Sequence, residues 1–461
     1  MSSGYVLAGG ETISSILNNF VKNTKGLYFD NFTREDISNF YHDVMFGFLH
    51  SFGQNFTGKK SYKGYVQAEA KCFTTMRETK MFEKSKFLID SGGFQVSFGK
   101  ITLAEAPTLI ALYDEFLRDH HHCIDRAFSL DLTPGPGCEL FKNFKDVYDM
   151  NLQTYTMHAN LPDEAREKII YVHHFRTPEM WRVFDKILRE NQFFEKFSHF
   201  ATGGIVASSG GDMQIPVIIY VLPLIPLLNE CIRHGRKTLD FHILGGATYR
   251  DILFYEFFQH HVMQCHGIQL NITYDSSGIF KALMIGRFLP IYDPISRSIE
   301  KIDVKSNALH FRYNHGMTIG EMYKYVIDRM CDHHNFKHID MTKIYNDESG
   351  TFFEDIKCYS MFYMLQMYSE VQEMLKEEAR RLYPLYENFD YEDFTSEISK
   401  VTQKINGGKI TTKQKFKTNS LIASLDMLKS LDESKCQYIV NKFLSKDEFT
   451  ELLSGKQLMT F

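Results

Sequence analysis

The sequence predicts an α/β fold, a (β/α)8 TIM barrel with additions. Three observations predict it. Short β-type runs alternate with longer amphipathic stretches from the start to about residue 290, the pattern of a parallel sheet with crossover helices. The runs number about eight, which a closed barrel needs. Polar or glycine residues stand where the runs end, at Asp90, Asp131, His174, Gly203-Gly204, Gly245-Gly246 and Asp275. In such a barrel the C-terminal strand ends surround the active site.

Taken in order, Gly4 to Leu7 and Gly26 to Phe29 are the candidate first two strands. Lys86 to Asp90, Ala127 to Asp131, Ile169 to His174, His199 to Gly204, Phe241 to Gly246 and Ile268 to Asp275 supply the other six. Helical stretches lie between them, such as Thr108 to Arg118 and Thr177 to Glu190. Past residue 300 the pattern changes. Ile319 to Met330 reads as a helix, a Cys/His cluster follows, and Phe352 to Arg381 reads as one long helix. Residues 386–461 are more polar. There, Lys400 to Lys417 carries six lysines and no acid, and Leu421 to Leu431 has an amphipathic pattern. So has Lys446 to Leu453, opened by a capping box of Ser445 and Glu448. The expected division is a barrel over 1–300, a zinc-binding subdomain with the closing barrel helix over 301–385, and a helical extension over 386–461.

Composition narrows the partners less than the fold. The chain has 461 residues, 44% of them hydrophobic, enough for one large barrel with additions. Its net charge is −5, so a nucleic-acid partner would need a local basic surface. The eight cysteines are scattered, without disulfide spacing. No signal-peptide pattern opens the chain, and no stretch of about 18 apolar residues occurs. The expectation is a soluble cytoplasmic protein with no membrane partner, in the host cell's cytoplasm if the chain is viral.

The most specific motif is Asp90-Ser91-Gly92-Gly93-Phe94-Gln95. A carboxylate at a strand end is followed by two glycines, whose missing Cβ would let a flat ligand approach the backbone, and by an aromatic stacking face. The hexapeptide resembles the signature of the tRNA-guanine transglycosylase family. Other segments are similar in order: Phe128-Ser129-Leu130-Asp131-Leu132-Thr133-Pro134, Gly203-Gly204-Ile205, His242-Ile243-Leu244-Gly245-Gly246 and Tyr274-Asp275. The resemblance spans roughly residues 85–370. It implies a transglycosylase that exchanges guanine in a nucleic acid for a 7-deazaguanine. Asp275 would be the nucleophile and Asp90 the general acid/base. Asp131 would accept hydrogen bonds from the purine, Gly203, Gly204, Ile205 and Gly245 would contact the base, and Phe94 and Leu244 would sandwich it. Breaking an N-glycosidic bond builds oxocarbenium character on the sugar, which one carboxylate can trap while a second group protonates the leaving base.

Two departures from the family pattern stand out. Where the family reads the purine oxygen with Gln, this chain has His173-His174, of which His174 is favoured because a neutral imidazole N–H donates the same bond. Where the family has a Cys-rich zinc motif, this chain has Cys331-Asp332-His333-His334, then His338 and the more distant Cys358. The expected ligands of one structural zinc ion are Cys331, His333, His338 and Cys358, with His334 as the substitute for His333. Two further clusters, His120-His121-His122-Cys123 and His260-His261 with Cys265-His266, end helical stretches just before strands and are read as surface or capping residues.

The departures, with the C-terminal extension, favour the family branch that modifies DNA, often in bacterial viruses, over the tRNA enzymes. A non-catalytic subunit that binds a partner enzyme is the third reading. Such subunits lose one of the two carboxylates, and both stand here. A sugar hydrolase would also need two carboxylates, but the single Trp argues against it. The resemblance also implies a homodimer paired through the zinc region.

Overall fold

The computed structural model describes residues 4–8, 34–53, 56, 61–78, 80, 82–135, 138–174, 178–203, 218–276, 288–293, 296–303, 352–405, 412–436 and 438. Eight parallel strands close into a barrel in chain order. They are β1 (Tyr5–Ala8), β2 (Gly47–Ser51), β3 (Lys86–Asp90), β4 (Arg126–Phe128), β5 (Ile169–His174), β6 (His199–Gly203), β7 (Thr238–Ile243) and β8 (Gln269–Ser276). The barrel closes where Val6 of β1 stands opposite Asp275 of β8. Seven of the eight strands fall where the sequence predicts them. The second does not: its place between β1 and β3 is taken by Gly47–Ser51, and Gly26 to Phe29 lies outside the described residues. That strand has only Phe48 and Leu49 as apolar residues and follows directly on the helix that ends at Val44, so its apolar residues merge with the helix's.

Helices surround the strands. The first six are α1 (Arg34–Val44), α2 (Tyr65–Glu78), α3 (Gly93–Ser97), α4 (Ala106–His120), α5 (Phe144–Ala159) and α6 (Asp163–Arg166). Five more follow before the strands end: α7 (Pro178–Glu190), α8 (Phe193–Lys196), α9 (Ile218–Val221), α10 (Leu224–Arg233) and α11 (Tyr249–His266). Their limits follow local chemistry. The side chain of Asn143 caps α5 by accepting the N–H groups of Lys145 and Asp146 at 2.8 and 3.1 Å. Leu109, Tyr113, Phe116 and Leu117 make one buried face of α4. Gly267, at φ 63°, ends α11 in the left-handed conformation that glycine adopts most readily.

An antiparallel hairpin, β9 (Phe288–Asp293) and β10 (Ser298–Asp303), follows the barrel, so residue 300 falls within β10. The long helix α12 (Phe352–Glu387) packs against α11 and α1, the seventh and first barrel helices, and so stands in the eighth position. Two further helices, α13 (Tyr391–Ile405) and α14 (Thr412–Ser430), fold back onto the barrel. Helix α14 lies against α9, α10 and α11 and buries Leu421, Leu425 and Leu428. Among the described residues no helix is long and apolar enough to cross a membrane.

The strands' period-two alternation sorts two cores. Outward-facing residues join the helices in the large core. Inward-facing Val6, Leu49, Leu88, Phe128, Ile170, Val172 and Ala201 fill the barrel. Two residues further along their strands, in the same phase, come Ser51, Asp90, His174 and Gly203, the start of a polar layer at the C-terminal mouth.

Candidate active site

Asp90 ends β3, so its side chain follows Leu88 into the barrel mouth. Ser51 at the end of β2 donates to its Oδ2 at 3.0 Å, and Gln95 donates to the Ser51 hydroxyl at 3.2 Å. Burial pushes the Asp90 carboxyl up to about 7, and the like charges of Asp131 and Asp275 act in the same direction, against the hydrogen bond from Ser51. A carboxyl so raised is suited to acid/base work near neutral pH.

The two glycines after Asp90 permit close packing of backbone on backbone. Gly92 adopts φ 93°, and a Cβ there would stand 2.6 Å from the Cα of Gly53. A Cβ on Gly93 would stand 2.1 Å from the carbonyl oxygen of Asp131. Their missing side chains let three strand-end loops pack together. Ser91 is fully buried, and its hydroxyl lies 3.4 Å from the Gly93 N–H. Phe94 is 52% exposed on the first turn of α3, with its ring 4.3 Å from that of Phe98. It therefore offers a free face.

Asp131 lies beyond β4 on a segment that helix α5 holds by its backbone. His158 accepts the Leu130 N–H at 3.1 Å, Thr154 donates to the Leu130 carbonyl at 3.0 Å, and Asn151 both accepts from the Leu132 N–H and donates to its carbonyl at 2.7 Å. Burial pulls His158 down to about 3, so it stays the neutral acceptor this bond needs. Sequence reasoning missed these three residues. Their signal was a polar set at i, i+3 and i+7 on one helix face.

His174 ends β5 facing the barrel interior, and its Nε2 hydrogen-bonds Asp131 Oδ2. Gly203 makes room for that ring, since a Cβ there would stand 2.6 Å from it. His173 points the other way, against Trp181 and Phe184, and burial pulls it down to about 3. The alternation of β5 thus separates the two histidines and brings only His174 to the mouth.

Asp275, near the end of β8, is 8% exposed. Its Oδ1 accepts the Gly245 N–H at 2.8 Å and lies 3.2 Å from His242 Nε2. Leu244 is half-buried and packs against the barrel's inner core. Sequence reasoning quoted His242 only as part of a motif. Gly204 and Ile205 lie outside the described residues, as do Cys331, His333, His334 and His338. Cys358 falls on α12, but its side chain lies outside the described set. Among the described residues no group of three or more His, Cys, Asp or Glu side chains could hold a metal ion.

The two histidine-rich helix ends differ from each other. His120, His121 and His122 lie at the end of α4 and in the single 3-10 turn after it, with His122 exposed. His261 is a core residue, a correction to the surface reading. Its Nδ1 lies 2.6 Å from the Tyr383 hydroxyl and its Nε2 2.8 Å from the Leu425 carbonyl.

A cavity of about 570 Å³ lies at the opposite, N-terminal end of the barrel, walled by residues such as Lys86, Arg126, His199, Asp240 and Asn271. Asp240 there accepts from Asn271 at 2.8 Å and lies 3.0 Å from His199 Nδ1. Groups tied to one another at that end hold the barrel floor, whereas barrel chemistry sits at the strands' C-terminal ends. The mouth with Asp90, Asp131, His174 and Asp275 is therefore the candidate site. Comparison of the chain with protein-family models, with curated proteins and with solved structures gives no match.

Proposed function

We propose that the chain is a base-exchanging transglycosylase of the guanine-transglycosylase kind, which replaces guanine in DNA with a 7-deazaguanine. One observation carries the reading. Two carboxyls stand at the barrel mouth with different partners: Asp90, pushed up to about 7 by burial and held by Ser51, and Asp275, anchored through one oxygen by Gly245 and His242. Paired carboxyls of unequal character divide acid/base and nucleophilic work between them.

In this mechanism an oxygen of Asp275 attacks C1′ of the nucleotide. The C1′–N9 bond breaks, its electron pair leaves with the guanine, and Asp90 supplies the proton the base needs. The incoming 7-deazaguanine then attacks C1′, the aspartyl ester bond breaks, and Asp90 takes up the proton the new base loses. The exposed Phe94 ring stacks on the base, with Leu244 beneath it, and Gly245 lies beside it. Asp131 and His174 read its hydrogen-bonding edge, which requires them to release each other. A base stacked in a duplex must first be extruded, so binding along the backbone has to offset a few kcal/mol.

The reading retains a structural zinc held by Cys331, His333, His338 and Cys358, two thiols and two imidazoles that make a tetrahedral zinc donor set. No step of the chemistry passes through it. The test incubates the protein with labelled guanine and either duplex DNA or tRNA. Incorporation into DNA is expected. Incorporation into tRNA alone reassigns the polymer, and incorporation into neither removes the reaction. Asp275→Asn is expected to abolish exchange and any covalent protein–polymer adduct.

A further inference from the structure

His242 is 2% exposed, and each of its ring nitrogens faces one polar partner. The ring lies edge-on to Phe128, centroids 4.9 Å apart. Nδ1 stands 2.8 Å from Thr273 Oγ1, and Nε2 stands 3.2 Å from Asp275 Oδ1. Asp275 is an acceptor, so Nε2 must carry the proton that joins them. In the neutral ring Nδ1 is then an acceptor, and the Thr273 hydroxyl is the group that donates to it. Both ring nitrogens are thus spent in one tautomer. Asp275 Oδ1 takes the His242 and Gly245 N–H groups together, while Oδ2 takes no hydrogen bond among the described residues.

We propose that His242 is the positioning residue of Asp275: Thr273 fixes its tautomer, and His242 in turn holds Oδ1 so that Oδ2 faces the reacting carbon. The kinetic consequence rests on the transglycosylase reading; the tautomer and the hydrogen bonds do not. A carboxylate held through one oxygen loses the freedom to rotate its lone pairs off line, so the effect belongs to the chemical step. Groups that orient a reacting ligand in this way typically cost about 10- to 100-fold when removed.

Two measurements test this. Nitrogen-15 NMR of labelled histidine reads the tautomer with no substrate present. The neutral Nε2–H form is expected for His242, with its Nδ1 resonance moving in Thr273→Val. An Nδ1–H form, or no response to Thr273→Val, overturns the inference whatever the reaction is. Kinetics of base exchange is the second measurement. His242→Ala is expected to lower kcat about 10- to 100-fold with KM for the polymer unchanged. His242→Gln, whose amide can still donate to Asp275, is expected to recover most of that loss. Wild-type kcat in His242→Ala, or a loss that appears in KM alone, overturns the inference. Should the wild-type protein exchange no base in either polymer, the transglycosylase reading falls and the NMR result alone decides the role of His242.

Discussion

Burial, and after it the neighbouring carboxylates, oppose the charge of Asp90 and push it up to about 7. The same opposition makes it a cost to the fold. Its folded value, about 7, lies above the unfolded one, so the cost is largest at high pH and fades as pH falls from about 7 to about 4. Asp90→Asn is therefore expected to stop base exchange yet stabilise the fold by about 1–3 kcal/mol at pH 8, with the gain shrinking towards pH 4. Thermal unfolding across that range measures it, and an Asn variant less stable than wild type at pH 8 would contradict it. Phe94, half-exposed, carries little of the fold. Phe94→Ala is expected to raise KM for the base several-fold while the melting temperature stays within about 1 °C, because the stacking face is lost but no core is opened. At this scale the sequence was legible where a residue ends a strand that the sequence itself locates, since strand alternation and the barrel's geometry assign its direction. It was illegible for Ser51, His158, Asn151 and Thr154. Their partners are distant in sequence or are backbone groups, and the polar set that Asn151, Thr154 and His158 make on one helix face does not say what it holds.

Element by element, the strands announced by apolar runs are present, and the one that was misplaced, β2, starts only three residues after a helix whose apolar residues run into its own. Helix α5 shows why element-level reading stopped short of the site: one polar stripe on an otherwise ordinary helix holds the loop that carries Asp131. Helix α14 shows the same limit. It reads as an amphipathic extension, yet His261 on α11 joins it to the barrel by spanning Tyr383 and Leu425. Burial pulls His261 down to about 4, so the folded protein holds it neutral while the unfolded chain protonates near 6.5. The stability this bridge contributes is complete above about pH 6.5 and is lost as pH falls towards 4. His261→Ala should cost about 2 kcal/mol, since the Tyr383 hydroxyl and the Leu425 carbonyl lose their partner. The loss should fall first on α14, as faster amide exchange over Thr412–Ser430 than over the barrel strands. Equal acceleration everywhere would show that His261 supports the whole fold rather than this attachment.

Across the whole molecule, the closed barrel was legible because the alternation of strand and helix repeats through most of the chain, and errors at single strands do not change it. Interfaces between distant parts were not legible. The division at residue 385 falls inside α12, and the helices beyond it are packed onto barrel helices rather than set apart. That packing decides how a nucleic-acid clamp in the lysine-rich stretch Lys400 to Lys417 can be tested. Truncation after Asn388 would strip Phe394, Ile398, Leu421, Leu425 and Leu428 from the core, so weakened binding would report damage to the fold. Charge substitution avoids this. Lys400 is paired with Glu397 at 2.6 Å, which leaves it a poorer phosphate contact than Lys404, which is exposed on the same helix. Lys404→Glu is expected to lower the slope of log affinity against log salt on duplex DNA by about 0.9, one phosphate contact, with the melting temperature unchanged. Lys400→Gln should change the slope less. An unaltered slope in Lys404→Glu would remove this stretch from the DNA contact and send the search to the barrel mouth itself, where a net charge of −5 leaves a basic surface to be found locally.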